Sequence, residues 1–500
     1  MQALRDESAA DGTPDAATSL WRYSMSLWRA IDRERLEFFD PFRIALQISA
    51  RAARHHPPSL TAMMHLMRYN SEIINKAWWA NHEQLSRYVL DESEKGCSAF
   101  LNTLFDMPGE KFDEFANRQA DVMDAVSNFN DQIEKVQDVF GFHFESPSYK
   151  LIHETDSFVM YQVMPLWKGV TVRDDLKPML LVPPYMLGVH ILAFLPHEDK
   201  SYAHAFANEG IPTYVRVVKD IWANEKVQTM TPDDDCRQTR ELCEKLVEKH
   251  GQKVTLNGTC QGGYISLMNV LSGTLKDVCD CLITNVTPVD GTFSQAISNV
   301  PRMQHDFIFS KLPNGNMVAN GYLLSLGMRL IAINQETPLV QVLNQARMEE
   351  KSGMHPGNTA AALFRYLRKE RVHLPVAIAE MSSISFEQPI SEDGTLPISL
   401  FGKPLKMGDL VGLGVRWYQN YAIKDGLVTQ PCATAGNRFV EASGLLEEVP
   451  FPGGHVAILT SPYAKNAPVN GRFEAPNGKV CRGPVTFQLE VSKEANVLAA

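Results

Sequence analysis

The sequence predicts an α/β fold with a mainly parallel β-sheet, a helical region before it and an insertion that caps it. Three observations predict this fold. Short apolar segments rich in Val, Ile and Leu recur after Gly141, helical segments separate them, and one ends in a glycine-rich turn around Cys260. Strands that alternate with helices are typical of parallel sheets covered on both faces. The 500 residues are too many for one simple core, so we expect about two to three structural units.

Composition and charge are those of an ordinary globular protein. The chain is 44% hydrophobic and 21% charged, and its net charge of −10 argues against non-specific nucleic-acid binding. The cysteines are sparse and no CxxC pair occurs, which predicts free thiols in a reducing, cytoplasmic setting. We interpret Cys279 and Cys281 as small buried hydrophobes rather than a metal site. No motif indicates a cofactor or a metal ion.

The N-terminal part of the chain is predicted to be helical. Residues 1–17 are mostly Ala, Asp, Gly, Ser and Thr, which predicts a disordered tail and no signal peptide. Residues 18–145 contain little Gly or Pro and carry apolar residues at helical spacing, which predicts a helical region. Four residues are spaced to share one helix face: Met63, Met67, Ile74 and Trp78. Such a face is more often core or a helix-docking surface than a cofactor site.

The apolar run 178–196 approaches the length of a membrane span. Pro183 and Pro184 interrupt it, and a proline pair removes backbone donors and breaks a helix. We therefore predict a buried strand, a turn and a second apolar segment, and no transmembrane segment.

The segments after Gly141 predict a catalytic domain over 146–465, with a cap insertion at about 291–400 and a C-terminal tail at 466–500. The predicted strands are 151–163 (a pair), 178–184, 211–218, 253–258, 281–286, 417–423 and 447–451. Between them, 233–251 is predicted as a helix that Pro232 and acidic residues begin and Gly251 ends.

The most informative motif is residues 258–263, GTCQGG, at the end of a predicted strand. It is a G-x-C-x-G nucleophile elbow with Cys260 where lipases have Ser, and it predicts an α/β-hydrolase fold. The residues two before and two after the nucleophile must be small, because the chain doubles back on itself there. The following helix begins at the turn, and its dipole favours a thiolate. The alternative is a buried structural cysteine in a tight turn.

Chain order then predicts the acid and the base, because this fold presents nucleophile, acid and histidine in that order. Four histidines follow Cys260: His305, His355, His373 and His455. His455 lies in a Gly-rich loop just after a predicted strand, where the base belongs. Asp425 follows the predicted strand 417–423 and is the candidate acid; the alternative is an ordinary turn residue.

These positions predict the role of each group. His455 would take the thiol proton of Cys260, and Asp425 would orient the imidazole. The backbone N–H of Gln261 would donate one hydrogen bond to the oxyanion. The second donor would come from the loop after 178–184, from the backbone of Met186 or Tyr185.

Residues 151–463 resemble polyhydroxyalkanoate (poly-3-hydroxybutyrate) synthases, as a divergent member. The matching motifs are LVPPY (181–185), GTCQGG (258–263), TPVD (287–290), GKPLKMGDL (402–410), the turn at Asp425 and GHVA (454–457). The resemblance implies an acyltransferase that polymerises hydroxyacyl groups from coenzyme A thioesters, with Cys260 carrying the chain and His455 and Asp425 completing the triad. It also implies that the helical region is linked to homodimerisation and to the surface of a polyester granule.

Three hypotheses for function stay open at this point. The first is an acyltransferase of the polyester synthase type. The second is a Cys-dependent hydrolase on the same scaffold, either a thioesterase or a polyester depolymerase. The third is a non-catalytic, granule-associated scaffold that keeps the fold.

Overall fold

The computed structural model describes most of the chain: residues 16–53, 60–294, 308–348, 358–451, 453–459, 461–464, 472–474, 480–482, 485, 488, 489, 491 and 492. The described residues divide into two compact units. The first unit draws on 1–51, 63–138 and 326–365, and the second on 52–62, 139–325 and 366–500. Of the predicted tail 1–17, only residues 16 and 17 are described, and they begin the first helix; the rest lies outside the described residues.

The helices and strands are numbered in chain order. The helices are α1 (Ala16–Ala53), α2 (Leu60–Leu104), α3 (Phe112–Lys135), α4 (Tyr202–Ala207), α5 (Glu225–Gln228), α6 (Pro232–His250), α7 (Gln261–Leu271), α8 (Gly321–Glu336), α9 (Pro338–Met348), α10 (Asn358–Lys369), α11 (Val376–Glu387), α12 (Asp409–Leu413) and α13 (Gln430–Thr434). The strands are β1 (Tyr149–Glu154), β2 (Phe158–Val163), β3 (Met179–Val182), β4 (Thr213–Val218), β5 (Val254–Thr259), β6 (Cys279–Asn285), β7 (Phe309–Lys311), β8 (Met317–Ala319), β9 (Leu374–Pro375), β10 (Thr395–Leu400), β11 (Lys403–Lys406), β12 (Arg416–Ala422), β13 (Leu446–Phe451), β14 (Arg472–Glu474) and β15 (Val480–Arg482).

The first unit is helical and contains a buried polar cluster. Both carboxylate oxygens of Glu34 on α1 accept hydrogen bonds, one from the Asn81 amide on α2 at 2.9 Å and one from the Leu339 backbone N–H on α9 at 2.7 Å. These bonds satisfy a carboxylate that is almost fully buried. The cluster therefore ties three helices of this unit together.

The face of α2 that spacing predicted as core or as a helix-docking surface is not the most buried face of this helix. Leu66, Ile73 and Ala77 are buried, whereas Met67 and Trp78 are each 51% exposed. Met67 and Trp78 therefore do not belong to the core, and the alternative of a helix-docking surface stays a prediction. The long helix buries a neighbouring set of residues, because the tertiary partners of α2 select which apolar stripe is covered.

The second unit is built on an eight-stranded sheet in the order β1-β2-β4-β3-β5-β6-β12-β13. Strand β2 runs antiparallel to β1 and β4, and the neighbours from β4 through β13 run parallel. All the predicted strand segments lie in this sheet, with ends shifted by at most two residues. The central position belongs to β5, which leads directly into Cys260 and α7. The chain has an α/β-hydrolase fold.

Helices α6 and α7 cover this sheet with apolar side chains. Leu242 and Leu246 on α6 and Ile265 and Leu267 on α7 are fully buried in one large core cluster. Gly251 ends α6 in the left-handed conformation, as predicted. The run 178–196 supplies β3 and a short 3₁₀ helix, as expected. Among the described helices, none is long and apolar enough to cross a bilayer.

The segment predicted as a C-terminal tail contributes to the core of the second unit. Gln488 is fully buried, and its amide bonds Asn257 on β5 and Asn285 on β6, each at 2.9 Å. Tyr202 on α4 also donates to Gln488, at 2.7 Å. The prediction of a tail is therefore wrong at Gln488, because a buried amide needs partners that only the folded sheet supplies.

Candidate active site

The site is built on the sharp turn between β5 and α7. Cys260 has φ 52° and ψ −119°, a backbone conformation that residues other than glycine rarely adopt. Its backbone N–H donates to the carbonyl of Asn285 on β6 at 2.8 Å. The bond to the neighbouring strand holds the strained residue in place, and the thiol stays partly exposed.

Glycines allow this turn to pack against its surroundings. A Cβ on Gly258 would lie 2.5 Å from the Gly262 carbonyl oxygen and the Gly263 Cα. A Cβ on Gly262 would fall against the carbonyl oxygens of Val182, the last residue of β3, and Pro183, the first residue after it. The spacing G-x-C-x-G is therefore a requirement of close backbone approach, as the sequence predicted.

His455 and Asp425 come together beside β12 and β13. Nδ1 of His455 lies 2.6 Å from Oδ2 of Asp425, and the loops that carry them are joined by the Lys424 N–H, which donates to the Gly453 carbonyl at 3.0 Å. Strands β12 and β13 are parallel neighbours, so the loops after them meet at one edge of the sheet.

The Asp425 carboxylate is buried and fully engaged. Its Oδ1 accepts the backbone N–H groups of Leu427 at 2.8 Å and Val428 at 2.9 Å, while Oδ2 faces His455. These bonds fix the orientation of the carboxylate, with Oδ2 turned toward the imidazole.

Charge around His455 favours its protonated form. Burial lowers the pKa of His455, but the negative charge of Asp425, the nearby Cys260 side chain and the hydrogen bond to Asp425 outweigh burial and raise the pKa to about 10. Since Nδ1 faces Asp425, the interaction with Cys260 falls to Nε2. The structure thus brings together the three residues predicted as nucleophile, base and acid, and their arrangement suits proton exchange between thiol and imidazole.

The two predicted oxyanion donors differ in their contacts. Gln261 is the first residue of α7, and no described residue accepts a hydrogen bond from its backbone N–H, as expected in a first helical turn. The Met186 N–H instead donates to the side-chain oxygen Oε1 of Gln261 at 3.3 Å, and the Tyr185 N–H donates to the same oxygen at 3.1 Å. Both candidate donors of the loop after β3 therefore point to one place beside the elbow.

Two residues near the site were not found from the sequence. Ser382 on α11 accepts a hydrogen bond from the side-chain amide of Gln261. Cys432 on α13 is buried; burial and the nearby negative charges of Asp290, Asp425 and Cys260 hold the pKa of its thiol well above the usual range. Neither lies in a local motif, so only the fold could identify them.

The other histidines after Cys260, and the pair Cys279 and Cys281, were the remaining candidates for functional residues. The His373 ring accepts the Gly321 N–H at 3.2 Å, and His305 and His355 lie outside the described residues. Cys279 and Cys281 are buried on β6, and burial raises their thiol pKa values to about 12 and about 11. In the part of the chain that the structure describes, no group of His, Cys, Asp and Glu is arranged to hold a metal ion.

No family model matches the sequence, and no curated protein does. Several solved hydrolase structures are similar to the chain. Brefeldin A esterase, a bacterial homologue of human hormone-sensitive lipase, is 12% identical with a TM-score of 0.37, over 76% of this chain and 85% of the esterase. A carboxylesterase from Bacillus subtilis is 11% identical with a TM-score of 0.33, over 67% and 93%. The thioesterase domain from the curacin biosynthetic pathway is 10% identical with a TM-score of 0.33, over 69% and 98%. Likeness at this level carries no argument about the reaction, and the fold is identified by the sheet itself.

Proposed function

We propose that the protein is a cysteine-dependent enzyme of the hydrolase type, in which Cys260 forms a covalent thioester with the acyl group of its substrate. The observation that carries the proposal is the pairing of His455 with Asp425 at 2.6 Å, close enough to Cys260 for this side chain to raise the pKa of His455. The raised pKa of His455 supports an imidazolium beside the thiol. A neighbouring imidazolium favours the thiolate, which is the nucleophilic form of cysteine.

In the acylation step, Sγ of Cys260 attacks the carbonyl carbon of a thioester or ester and forms a new C–S bond. The electron pair of the C=O bond moves to the oxygen and returns as the bond to the leaving group breaks. The leaving thiolate or alkoxide takes the proton held by His455. The acyl group then remains on Cys260, and the neutral imidazole is oriented by Asp425.

In the second step, an O–H group attacks the acylated Cys260 and His455 takes its proton. The C–S bond breaks, the acyl group leaves with its new oxygen, and the thiolate–imidazolium pair is restored. We propose water as the acceptor, which makes the protein a thioesterase or a polyester depolymerase. Both Cys260 and His455 retain partial solvent exposure, and this supports access of water to the acyl-enzyme.

A second candidate has the hydroxyl group of a hydroxyacyl chain as the acceptor in place of water. This is the polyester synthase reaction, and the resemblance of residues 258–263 and 454–457 to polyhydroxyalkanoate synthases favours it. Coenzyme A thioesters are then the substrates, and the polyester stays on Cys260 between additions. The two candidates share the acylation step and differ only in the acceptor.

The test is incubation of the purified protein with 3-hydroxybutyryl-coenzyme A, with free thiol, free hydroxyacid and insoluble polyester followed together. Thiol release with equal hydroxyacid supports the hydrolase, and thiol release with polyester replaces it by the synthase. A range of acyl thioesters and esters extends the test if this substrate is not used.

The matched controls are Cys260→Ala and Cys97→Ala, since Cys97 is an exposed cysteine on α2. The first is expected to lose all turnover and the second none. Turnover that survives in Cys260→Ala would contradict the proposal. A protein that turns over none of these substrates, with its Cys260 never acylated, would instead match the non-catalytic scaffold.

A further inference from the structure

The backbone N–H groups of Tyr185 and Met186, here called the donor pair, converge on a single oxygen. That oxygen is Oε1 of the Gln261 side chain, at 3.1 Å from one nitrogen and 3.3 Å from the other. Gln261 directly follows Cys260 in the chain. A carbonyl oxygen of the protein's own side chain thus lies where two donors meet, next to the nucleophile.

Further contacts hold this arrangement from both sides. The other end of the Gln261 amide donates to the Ser382 hydroxyl on α11. The Met186 carbonyl accepts the Val372 backbone N–H at 2.9 Å, which fixes the orientation of the loop after β3. The loop is also packed against the start of α7, because a Cβ on Gly262 would fall against a backbone carbonyl of that loop. The donor pair is therefore preorganised by backbone contacts, whereas the Gln261 amide is held by side-chain hydrogen bonds that a ligand can replace.

An uncharged amide oxygen is chemically close to the carbonyl oxygen of a substrate in its ground state. An oxyanion forms stronger, charge-assisted hydrogen bonds with the same N–H groups. For the hydrogen bonds of the donor pair, the Gln261 amide oxygen therefore competes well with a substrate carbonyl group and poorly with the oxyanion of the tetrahedral intermediate. Its own backbone N–H, on α7, stays in place as a further donor.

We propose that the Gln261 side chain occupies the oxyanion hole of the resting protein as an internal stand-in for the substrate carbonyl, and that the reacting oxygen displaces it. The inference rests on the proposed function in so far as Cys260 is the nucleophile. Gln261 is then a residue that weakens ground-state binding, and the donor pair with the Gln261 backbone N–H forms the hole. Truncation of the side chain lowers KM and leaves kcat little changed.

The closing experiment uses an aldehyde, because it tests the hole without turnover. Sγ of Cys260 adds to the carbonyl carbon of butanal, the C=O electron pair moves to oxygen, and this oxygen takes the proton held by His455 and becomes the hydroxyl group of a hemithioacetal in the hole. Butanal protection of Cys260 against iodoacetamide, followed by mass spectrometry of the Cys260 peptide, gives the dissociation constant. Iodoacetamide alone needs no oxyanion hole, so its rate reports the thiol by itself.

Gln261→Ala is expected to bind butanal about 3- to 10-fold more tightly, the effect of about one hydrogen-bond competitor. Gln261→Glu is expected to bind it more weakly, because a carboxylate holds the donor pair by charge-assisted bonds. Ser382→Ala shifts binding in the direction of Gln261→Ala, and Ser399→Ala, at an exposed position on β10, changes nothing.

Weaker or unchanged butanal binding in Gln261→Ala would overturn the inference, since the amide would then only support the loop. A parallel rise in the rate with iodoacetamide alone would also overturn it, because the amide would then merely shield the thiol. Failure of the proposed function is seen separately, as the absence of thioester or ester turnover in a protein whose Cys260 still binds the aldehyde.

Discussion

The imidazole of His455 and the carboxylate of Asp425 face each other at 2.6 Å between Nδ1 and Oδ2, although 30 residues separate them. The carboxylate is held on its far side by the N–H groups of Leu427 and Val428. It cannot rotate away without leaving both donors unpaired. The orientation of the imidazole toward Cys260 is therefore a property of the turn after β12.

Asp425→Asn is expected to lower turnover by about 10³- to 10⁴-fold with little change in stability, since a triad with the wrong histidine tautomer loses activity on that scale. The amide oxygen can still accept the N–H groups of Leu427 and Val428, but the NH₂ group would face the Nδ1–H of His455. Initial rates with the substrate from the turnover test measure the effect.

The matched control is Asp393→Asn, at an exposed carboxylate that pairs with Lys406 at 2.6 Å. It is expected to keep full activity. An Asp425→Asn protein with near-normal rates would show that Asp425 is not the acid of the triad.

The contribution of His455 to the free energy of unfolding is expected to fall as the pH rises. Its folded pKa of about 10 lies above the ordinary 6.5, so its contribution is fully present below about pH 6.5 and is lost as pH rises through about 10. The difference in free energy of unfolding between the protein and His455→Gln should therefore shrink over that interval. Urea unfolding between about pH 6 and about pH 11 measures it.

His204 on α4 supplies a control of opposite sign. Burial, with a smaller contribution from His197, lowers the pKa of His204 to about 3. Its contribution is present above about pH 6.5 and is lost as pH falls toward about 3.

For His455, the outcome that would contradict the ion pair with Asp425 is a constant difference in free energy of unfolding between the protein and His455→Gln from neutral to alkaline pH.

The buried ion pair of Arg216 and Asp235 is expected to be required for folding stability. The two side chains are 2% and 0% exposed and lie 2.8 Å apart, and the Tyr185 hydroxyl also donates to Asp235. Arg216→Met leaves a buried carboxylate without its cation, and a loss of about 3 to 5 kcal/mol is expected. Urea unfolding at neutral pH measures this loss.

Arg173→Met is the comparison, because Arg173 pairs with Asp175 at 2.7 Å with both side chains more than half exposed. A much smaller effect is expected there, because solvent screens an exposed pair. Equal effects of the two substitutions would mean that burial of the Arg216 pair is not what makes it important.

Gly262→Ala is expected to destabilise the protein by about 1 to 3 kcal/mol or more. The new Cβ would fall against the Val182 and Pro183 carbonyl oxygens, which are backbone atoms and cannot turn aside. Gly408→Ala is the control, since a Cβ there would meet no atom within 4 Å and the backbone is already right-handed. Thermal unfolding of both variants tests the prediction, and equal midpoints would refute it.

The strands, the turn at Cys260 and the pairing of Asp425 with His455 were predictable from local patterns. An apolar strand followed by G-x-C-x-G carries its own physical requirements, which are close backbone approach and a helix that begins at the nucleophile. His455 and Asp425 could be chosen because each follows a strand of a parallel sheet, and such loops gather at one edge.

Other features were decided only by the tertiary structure. The apolar spacing of α2 indicated a helix, but which stripe is buried depends on its neighbours, and Trp78 lies exposed. Gln488 was predicted in a tail, yet its amide completes a buried network with Asn257. The contact of the Gln261 oxygen with the Met186 N–H joins positions 75 residues apart. Such contacts follow from strand order and register, which bring together residues that no local pattern connects.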